Sequence, residues 1–414
     1  MSLPRIAIVV PCLANNGGVC TVAAFLHRVI NESGHYLADL ISVASSSRDE
    51  ASLRVLSPPS WFRGARVTEG EWQGLTFRHA GAVFAELETF RYRPRPTLTR
   101  LLGGYNLVQI VSGSPAWALV ARKCGRPVAL QVATLAERER VSLLSQRNGP
   151  VQWWRRRMTR RTARLDAEAL GLVDVAFVEN SWMKQWIRNH VPSCPVVFAL
   201  PGVDADHFRP GMDRDEDFIL SVGRFADPRK NIRLMIEAYH RLTRLVPAAP
   251  RLVLAGLTRP DPDVCDLVRT LGILDRIEIR ENVSGEELAR LYRNAALFVL
   301  SSDEEGLGMV LLEAMASGTP VVSTRCGGPE SIITDGGSGF LTPVGDAPAL
   351  AARMRDLLMD APRRHAMGRE GRRLVEEKFS LQAAGHRFLE HYDELLGRSG
   401  GERLLCIPPT PGKS

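Results

Sequence analysis

Short apolar runs alternate with segments of helical periodicity along almost the whole chain. The runs are continuously apolar, which indicates strands covered on both faces, as in a parallel sheet wrapped by helices. They form two sets, so the pattern predicts an α/β protein with two Rossmann-like, doubly wound domains. The predicted strands are 5–10, 107–111, 128–132, 175–178 and 196–199 in the first set and 218–222, 251–255, 277–279, 297–300 and 320–323 in the second.

A segment rich in helix and strand breakers separates the two sets. Residues 200–217, LPGVDADHFRPGMDRDED, replace the apolar pattern with prolines, glycines and acids. We therefore expect one domain over residues 1–204 and a second over residues 205–379. A helix should follow over 380–397, and the breaker-rich tail 398–414 should be mobile.

The composition is that of a folded globular protein, with 45% hydrophobic and 24% charged residues in 414. No apolar run approaches the roughly 20 residues of a membrane-spanning helix, and the first run is shorter than a signal-peptide core. We therefore expect a cytoplasmic protein. The seven cysteines are scattered, so neither a zinc site nor a redox pair is predicted.

Much of the net charge of +7 comes from one segment. QWWRRRMTRRTARL, residues 152–165, contains six arginines, two tryptophans and no acidic residue. One interpretation is a helix face exposed to solvent. The other is peripheral contact with an anionic surface at the inner membrane face, or with an anionic acceptor, because tryptophans beside arginines suit such an interface. Nucleic acid is not an expected partner, since no known binding module surrounds the segment.

A pair of glycines follows the first predicted strand. Gly17 and Gly18 precede a helix that should begin near Val19. Glycines let the backbone approach a ligand closely, and the N–H groups at the start of a helix attract an anion. An ordinary turn is the alternative. The fingerprint Gly-x-Gly-x-x-Gly is absent, which argues against a dinucleotide.

Two basic residues follow the first strand of the second set. Gly223 and Arg224 come directly after that strand, and Lys230 precedes an amphipathic segment. The carboxyl-end edge of a parallel sheet is where doubly wound proteins bind ligands. A guanidinium and an ammonium that converge there suit a diphosphate, whereas two solvated side chains are the alternative.

Two glutamates flank a glycine turn in SSDEEGLGMVLLEAMASGTPVV, residues 301–322. Glu305 lies where a strand ends, Gly306–Gly308 form a tight turn, and Glu313 lies within the helix that follows. A carboxylate among apolar neighbours is costly to bury unless it accepts strong hydrogen bonds, which ribose hydroxyls would donate. Pairing with Arg or Lys of the same chain is the alternative, and the spacing favours the ligand.

Several segments resemble the retaining glycosyltransferases of family 4, which have the two-domain GT-B fold. The resemblance is carried by VGRFADPRKNI, LYRNAALFVLSS, EEGLGMVLLEAMASGTPVVST, GGPESIITDGGSGFL and VGD, in the family's order. It covers residues 200–397 well and the N-terminal half only in outline. It implies an acceptor domain over 1–204, a sugar-nucleotide donor domain over 205–379, a cleft between them, and a helix at 380–397 that crosses back to the first domain.

The family's E-x7-E glutamates fall on Glu305 and Glu313. The resemblance implies that Glu305 contacts the donor sugar, that Arg224 and Lys230 neutralise the diphosphate, and that Glu313 holds the ribose. The expected catalytic residues are Glu305, Arg224 and Lys230. The expected donor-binding residues are Gly17, Gly18, Gly223, Gly306, Leu307, Gly308, Met309, Val310, Glu313 and Val283. The nucleotide sugar is a substrate, so no cofactor and no metal are implied.

The resemblance predicts transfer of a hexose from a nucleotide sugar to an acceptor hydroxyl with retention of configuration, in cell-envelope glycan, glycolipid or secondary-metabolite synthesis. UDP is the expected nucleotide, with GDP and ADP left open. The acceptor is a saccharide, a lipid-linked sugar or a small molecule. A sugar-nucleotide epimerase or hydrolase of the same fold and a non-catalytic partner subunit of a glycosyltransferase are the alternatives.

The chain departs from the family pattern at two places. Ala133 and Thr134 stand on a loop where family members often carry a histidine, and Glu137 is a candidate replacement. Glu281 stands near the expected nucleobase, where the family usually has a glycine. Its carboxylate either accepts from guanine or points to solvent.

Overall fold

The computed structural model describes residues 3–397 except 12, 14–16, 47, 141–148, 212–217, 258 and the side chains of 150 and 151. The predicted mobile tail 398–414 lies outside the described residues. The chain divides into two compact units, of which the second is Gly202–Ala383 and the first comprises the segments on either side. The domain limits at residues 204 and 379 stay a prediction.

The first unit contains an eight-stranded sheet. Its strands are β1 (Arg5–Pro11), β2 (Leu37–Val43), β3 (Val67–Trp72), β4 (Leu75–Ala80), β5 (Leu107–Ser112), β6 (Val128–Val132), β7 (Val175–Val178) and β8 (Val196–Phe198). They are ordered β3-β4-β2-β1-β5-β6-β7-β8, and every pair is parallel except the antiparallel edge hairpin β3–β4. The chain therefore winds outward in both directions from β1 and β5.

Helices connect these strands. They are α1 (Gly18–Glu32), α2 (Pro58–Arg63), α3 (Glu88–Arg91), α4 (Pro96–Leu102), α5 (Ala136–Glu139), α6 (Pro150–Leu170) and α7 (Ser181–His190), with a 3-10 helix at Pro115–Ala121. The arginine-rich segment forms most of α6. None of the helices in the described part of the chain is long and apolar enough to span a bilayer.

The second unit contains a six-stranded sheet that is parallel throughout. Its strands are β9 (Phe218–Val222), β10 (Arg251–Gly256), β11 (Ile277–Glu281), β12 (Leu297–Leu300), β13 (Val321–Thr324) and β14 (Gly339–Thr342), in the order β11-β10-β9-β12-β13-β14. Its helices are α8 (Ile232–Leu245), α9 (Pro262–Thr270), α10 (Gly285–Asn294), α11 (Met309–Ala316), α12 (Ala347–Met359) and α13 (Ala361–Leu374).

The last described helix, α14 (Leu381–Leu395), corresponds to the predicted helix 380–397. From Ala384 onward it belongs to the first unit. Phe388 packs against Phe25 and Phe177, and the Tyr392 hydroxyl donates a hydrogen bond to Gln109 Oε1 over 2.8 Å. Apolar packing and a buried hydrogen bond thus hold α14 on this unit.

The predicted two α/β sheets are confirmed, and all ten predicted strands are present within two residues of their expected limits. The sequence missed β2, β3, β4 and β14. In the edge strand β3 and its neighbour β4 the reason is physical: most residues of both strands are exposed or half-exposed, so neither forms a continuous apolar run.

Candidate functional site

The predicted basic loop and the predicted glutamate turn lie at the topological switch point of the second sheet. Strands β10 and β11 lie beyond β9, whereas β13 and β14 lie beyond its neighbour β12. The chain leaves the carboxyl ends of β9 and β12 in opposite directions, which opens a crevice suited to ligands. Gly223–Lys230 follow β9 and Ser301–Gly308 follow β12.

Lys230 and Glu305 meet at this switch point. The Lys230 Nζ atom lies 2.6 Å from Glu305 Oε1, and the side chains are only 18% and 10% exposed. The Ser302 hydroxyl donates to the same carboxylate oxygen over 2.6 Å. The expectation that Glu305 would not pair with a basic residue of its own chain is therefore wrong. Instead, the Lys230 ammonium and the Glu305 carboxylate form an ion pair at the switch point.

The loop that carries Lys230 is fastened to the end of β12. Asn231 adopts a left-handed conformation with φ of 41° and begins α8, while its side-chain amide donates to Asp303 Oδ1 over 2.7 Å. The Ser301 hydroxyl donates to the carbonyl of Lys230 over 3.0 Å. Asn231, Ser301 and Asp303 were not among the residues predicted from the sequence. Their signal was a cluster of short polar side chains directly after a buried strand and before a helix.

Arg224 is the more exposed of the two predicted cations. Its guanidinium lies 3.3 Å from Asp227 Oδ2, and 47% of the side chain is exposed. Asp227 also accepts hydrogen bonds from the backbone and the guanidinium of Arg229. A methyl group added at Gly223 would lie 3.9 Å from Lys230 Cγ, so Gly223 adjoins Lys230. The loop thus carries a guanidinium open to solvent and an ammonium already paired.

The glycine turn leads into α11. Gly308 has φ of 93°, a left-handed conformation that favours glycine, and no described side chain caps the helix that follows. The Gly328 N–H donates to the carbonyl of Glu305 over 3.0 Å, and a methyl group at Gly328 would lie 2.4 Å from Leu307 Cα. Leu307 and Met309 are buried and Val310 is half-buried. The glycine turn is therefore fixed through its backbone and closely packed against the loop that carries Gly328.

Glu313 is buried within α11 and is 8% exposed. The Tyr292 hydroxyl donates a hydrogen bond to Glu313 Oε2 over 2.7 Å. Burial raises the pKa of Glu313 to about 7 in spite of this hydrogen bond. Tyr292, on α10, is a partner that the sequence analysis did not identify, because nothing in the sequence places α10 beside α11.

The remaining predicted residues lie in other loops. Gly17 and Gly18 stand at the start of α1, after β1, which with β5 forms the switch point of the first sheet. Among the described residues, nothing occupies the space beside Gly18. Val283 is half-buried between β11 and α10. Thr134, where a histidine was considered, is buried and its N–H donates to the carbonyl of Gly113.

Residues 203–374 match the family model described as "Glycosyl transferases group 1". This span contains every predicted site residue except Gly17 and Gly18. Family assignment and site geometry therefore concern the same part of the chain.

Curated relatives extend the similarity into the first unit. A MMP alpha-(1->4)-mannosyltransferase of Mycolicibacterium hassiacum is 28% identical over 324 residues, which are 77% of this chain and 77% of that protein. An alpha-D-kanosaminyltransferase of Streptomyces kanamyceticus is 30% identical over 287 residues, 67% of this chain and 73% of that protein. A GDP-mannose-dependent alpha-(1-6)-phosphatidylinositol monomannoside mannosyltransferase of Mycolicibacterium smegmatis is 30% identical over 237 residues, 52% and 61% of the two chains. The chain spans about half the length of several other curated relatives that it matches.

Solved structures share the fold at low identity. A sucrose-phosphate synthase from Thermosynechococcus elongatus superimposes with a TM-score of 0.73 at 20% identity, over 96% of this chain and 100% of that one. An Anabaena protein in complex with UDP and glucose superimposes with a TM-score of 0.68 at 13% identity, over 94% and 100%. These likenesses confirm the predicted GT-B fold.

Proposed function

Because this chain belongs to the glycosyl transferases group 1 family, and is thus a glycosyltransferase, we propose that it moves a hexose from a nucleotide sugar to an acceptor hydroxyl with retention of configuration. The observation that carries the proposal is the meeting of Lys230 and Glu305 at the switch point of the second sheet, with Arg224 on the same loop. Cations suit a diphosphate and a carboxylate suits sugar hydroxyls.

The Lys230–Glu305 pair suggests how the donor is received. In the absence of a ligand the ammonium satisfies the buried carboxylate. A donor diphosphate attracts the ammonium and the Arg224 guanidinium, and the hydroxyls of the donor sugar then become hydrogen-bond donors to Glu305. Each charge keeps a partner throughout, which avoids the cost of an unpaired buried charge.

The same groups serve the chemical step. Cleavage of the anomeric C–O bond develops negative charge on the departing diphosphate and positive charge on the sugar ring. The negative charge on the diphosphate is stabilised by Arg224, Lys230 and the backbone N–H groups at the start of α11. The positive charge on the sugar ring is stabilised by the Glu305 carboxylate. Groups fixed where charge develops stabilise the transition state more than the ground state.

We assign the ribose to Glu313 and the base to the loop around Val283, with uracil as the preferred base. The buried Glu313 carboxyl group accepts a hydrogen bond from Tyr292 at Oε2, and its oxygens have further acceptor capacity for ribose hydroxyls. The Glu281 carboxylate forms an ion pair with Arg259. The Glu281 carboxylate therefore already has a partner at the protein surface, and uracil stays the base that we propose.

Measurement of nucleoside diphosphate release tests this function. Purified protein with UDP-glucose, UDP-galactose, UDP-N-acetylglucosamine and GDP-mannose should release the diphosphate in the presence of an acceptor mixture. Arg224→Ala and Glu305→Gln should each lower the rate by about a hundredfold or more, because each removes a transition-state contact. Arg233→Ala and Glu237→Gln remove comparable charges from α8 and should leave the rate unchanged.

Product analysis separates the alternatives. An epimerase would interconvert the donor sugar without an acceptor, and a hydrolase would release free sugar at the same rate with and without one. If no donor is consumed although nucleotide binds, a non-catalytic subunit is the better description. Equal rates for the site variants and their controls would contradict the roles assigned to Arg224 and Glu305.

A further inference from the structure

A cavity of about 510 Å³ lies in the first unit, lined by residues that the proposed donor site does not use. Its walls are the segment around α3, Arg140 after α5, and the N-terminal half of α6. The volume falls within the roughly 300–1,000 Å³ that small-molecule sites occupy. It is therefore large enough for a sugar with a charged substituent.

The cavity opens among segments that leave the carboxyl ends of strands. Residues 86–91 come after β4, and Arg140 comes after β6 and α5. Strands β4 and β6 run parallel to β1 in the same sheet, so these segments start from one edge. This is the edge at which doubly wound sheets bind ligands.

The lining carries more positive than negative charge. Four arginines, Arg91, Arg140, Arg155 and Arg161, face two glutamates. Glu88 is already neutralised, since it forms an ion pair with Arg140 and accepts a hydrogen bond from Thr162 over 2.8 Å.

Three of these arginines, Arg91, Arg155 and Arg161, have no acidic partner in the described part of the chain, but the Arg91 guanidinium already donates to the carbonyl of Ala85. Neither Arg155 nor Arg161 lies within salt-bridge distance of a described carboxylate, and both side chains are exposed. Guanidinium groups that face a cavity without a partner are suited to bind a phosphate through paired hydrogen bonds.

The rest of the lining suits a sugar. The Glu86 Oε2 atom is buried and has no hydrogen-bond partner among the described residues, whereas Oε1 accepts from the Val55 N–H over 3.0 Å. An unpartnered carboxylate oxygen is an acceptor for a hydroxyl group. Trp154 and Phe90 contribute aromatic surface, against which the apolar face of a sugar ring packs.

We propose that this cavity binds a phosphate-bearing acceptor, with Arg155 and Arg161 on the phosphate and Glu86 on a sugar hydroxyl. The identification of the bound molecule as the acceptor rests on the proposed function. The binding of a phosphate does not.

The test compares two pairs of arginines on one helix. Arg155→Gln with Arg161→Gln removes the cavity pair, and Arg156→Gln with Arg160→Gln removes two exposed arginines of α6 that do not line the cavity. Calorimetry at fixed ionic strength, with saturating UDP to fill the donor site, measures the binding of inorganic phosphate, glucose 6-phosphate and mannose 6-phosphate, with glucose and mannose as neutral probes. Thermal unfolding checks that each variant is folded.

The proposal expects the phosphorylated probes to bind the wild-type protein and the control pair, and the cavity pair to weaken them about tenfold or more. Sedimentation with phosphatidylglycerol vesicles, with phosphatidylcholine vesicles as reference, distinguishes a lipid headgroup from a soluble sugar phosphate. Vesicle binding that is lost with the cavity pair alone assigns the phosphate to a headgroup. The proposal would be overturned if the two double variants lost phosphate affinity equally. It would also be overturned if the wild-type protein bound no phosphate probe and no anionic vesicle.

Failure of the proposal and failure of the proposed function are distinguishable. If the protein releases diphosphate from a donor but binds no phosphate probe in the cavity, only the proposed acceptor site is wrong. If it binds phosphate in the cavity but turns over no donor, the proposed glycosyl transfer is wrong and the anion site is supported.

Discussion

Glu313 shows what one buried carboxylate demands of its surroundings. It lies among apolar neighbours in α11, and the only hydrogen bond shown to its side chain in the described structure comes from Tyr292. Burial therefore raises the pKa of Glu313 to about 7. A ribose that donates two further hydrogen bonds would stabilise the ionised form, which links donor binding to the ionisation of this residue.

The pH dependence of stability follows from this raised pKa. For an acid whose folded pKa exceeds its unfolded value of 4.5, the stabilisation is complete below 4.5 and is lost as the pH rises through about 7. Between pH 5 and pH 8 the wild-type protein should therefore lose roughly 2–3 kcal/mol of stability relative to Glu313→Gln. Urea unfolding at both pH values measures this. If the free energies of unfolding of the wild-type protein and Glu313→Gln differ by the same amount at pH 5 and pH 8, the raised pKa is contradicted. For the exposed Glu237→Gln, the difference from the wild-type protein should not change with pH.

Donor affinity should also depend on the ionisation of Glu313, but it should increase with pH where the stability decreases. A carboxylate accepts hydrogen bonds more strongly than a neutral carboxylic acid, so if Glu313 binds the ribose as we propose, UDP should bind more tightly as the pH rises from 6 to 8. Titration calorimetry of the wild-type protein and Glu313→Gln measures the effect. The variant should bind UDP more weakly and without this rise, and a rise of the same size in both proteins would exclude Glu313 as its cause.

At the scale of elements, the turn before α11 is fixed by contact with the loop after β13. Gly328 approaches the backbone of Leu307 so closely that a methyl group would lie 2.4 Å from its Cα atom. Since the obstacle is backbone, one of the two loops must move to make room. The position of the α11 N-terminus therefore depends on a residue that contacts no donor atom in our account.

Gly328→Ala should for this reason cost roughly 1–3 kcal/mol of stability and lower donor-dependent activity at least tenfold. Gly285→Ala is the matched control, because no described atom lies within 4 Å of the added methyl position and Gly285 begins a helix of the same unit. Chemical unfolding and initial rates of both variants measure the two effects. Full activity of Gly328→Ala would show that the turn tolerates displacement.

The sequence predicted elements better than contacts. Continuous apolar runs identified β9 and β12, and the glycine turn identified the start of α11. The adjacency of β9 and β12 could not be read from the sequence, because strand order depends on tertiary packing. For the same reason the pairing of Lys230 with Glu305 was missed, although both residues were expected in the site. The edge strand β3 and its neighbour β4 were missed because most of their residues are exposed or half-exposed and several are polar.

At the scale of the whole molecule, binding of the donor nucleotide should stabilise the folded chain by mass action. A ligand at a hundred times its dissociation constant adds about 2.7 kcal/mol to the free energy of unfolding. We expect UDP to raise the unfolding temperature more than GDP or ADP, and Arg224→Ala to reduce the UDP effect while Arg233→Ala does not. Thermal unfolding with each nucleotide measures this. A larger shift with GDP would reassign the base preference.

A crystal structure of the protein with a bound nucleoside diphosphate would test the proposed donor site most directly. We expect diphosphate oxygens at about 2.7–3.1 Å from Arg224 and Lys230 nitrogens, with the Lys230–Glu305 contact opened and the ribose hydroxyls on Glu313. A diphosphate that contacts neither basic side chain, with Lys230 still paired to Glu305, would contradict it.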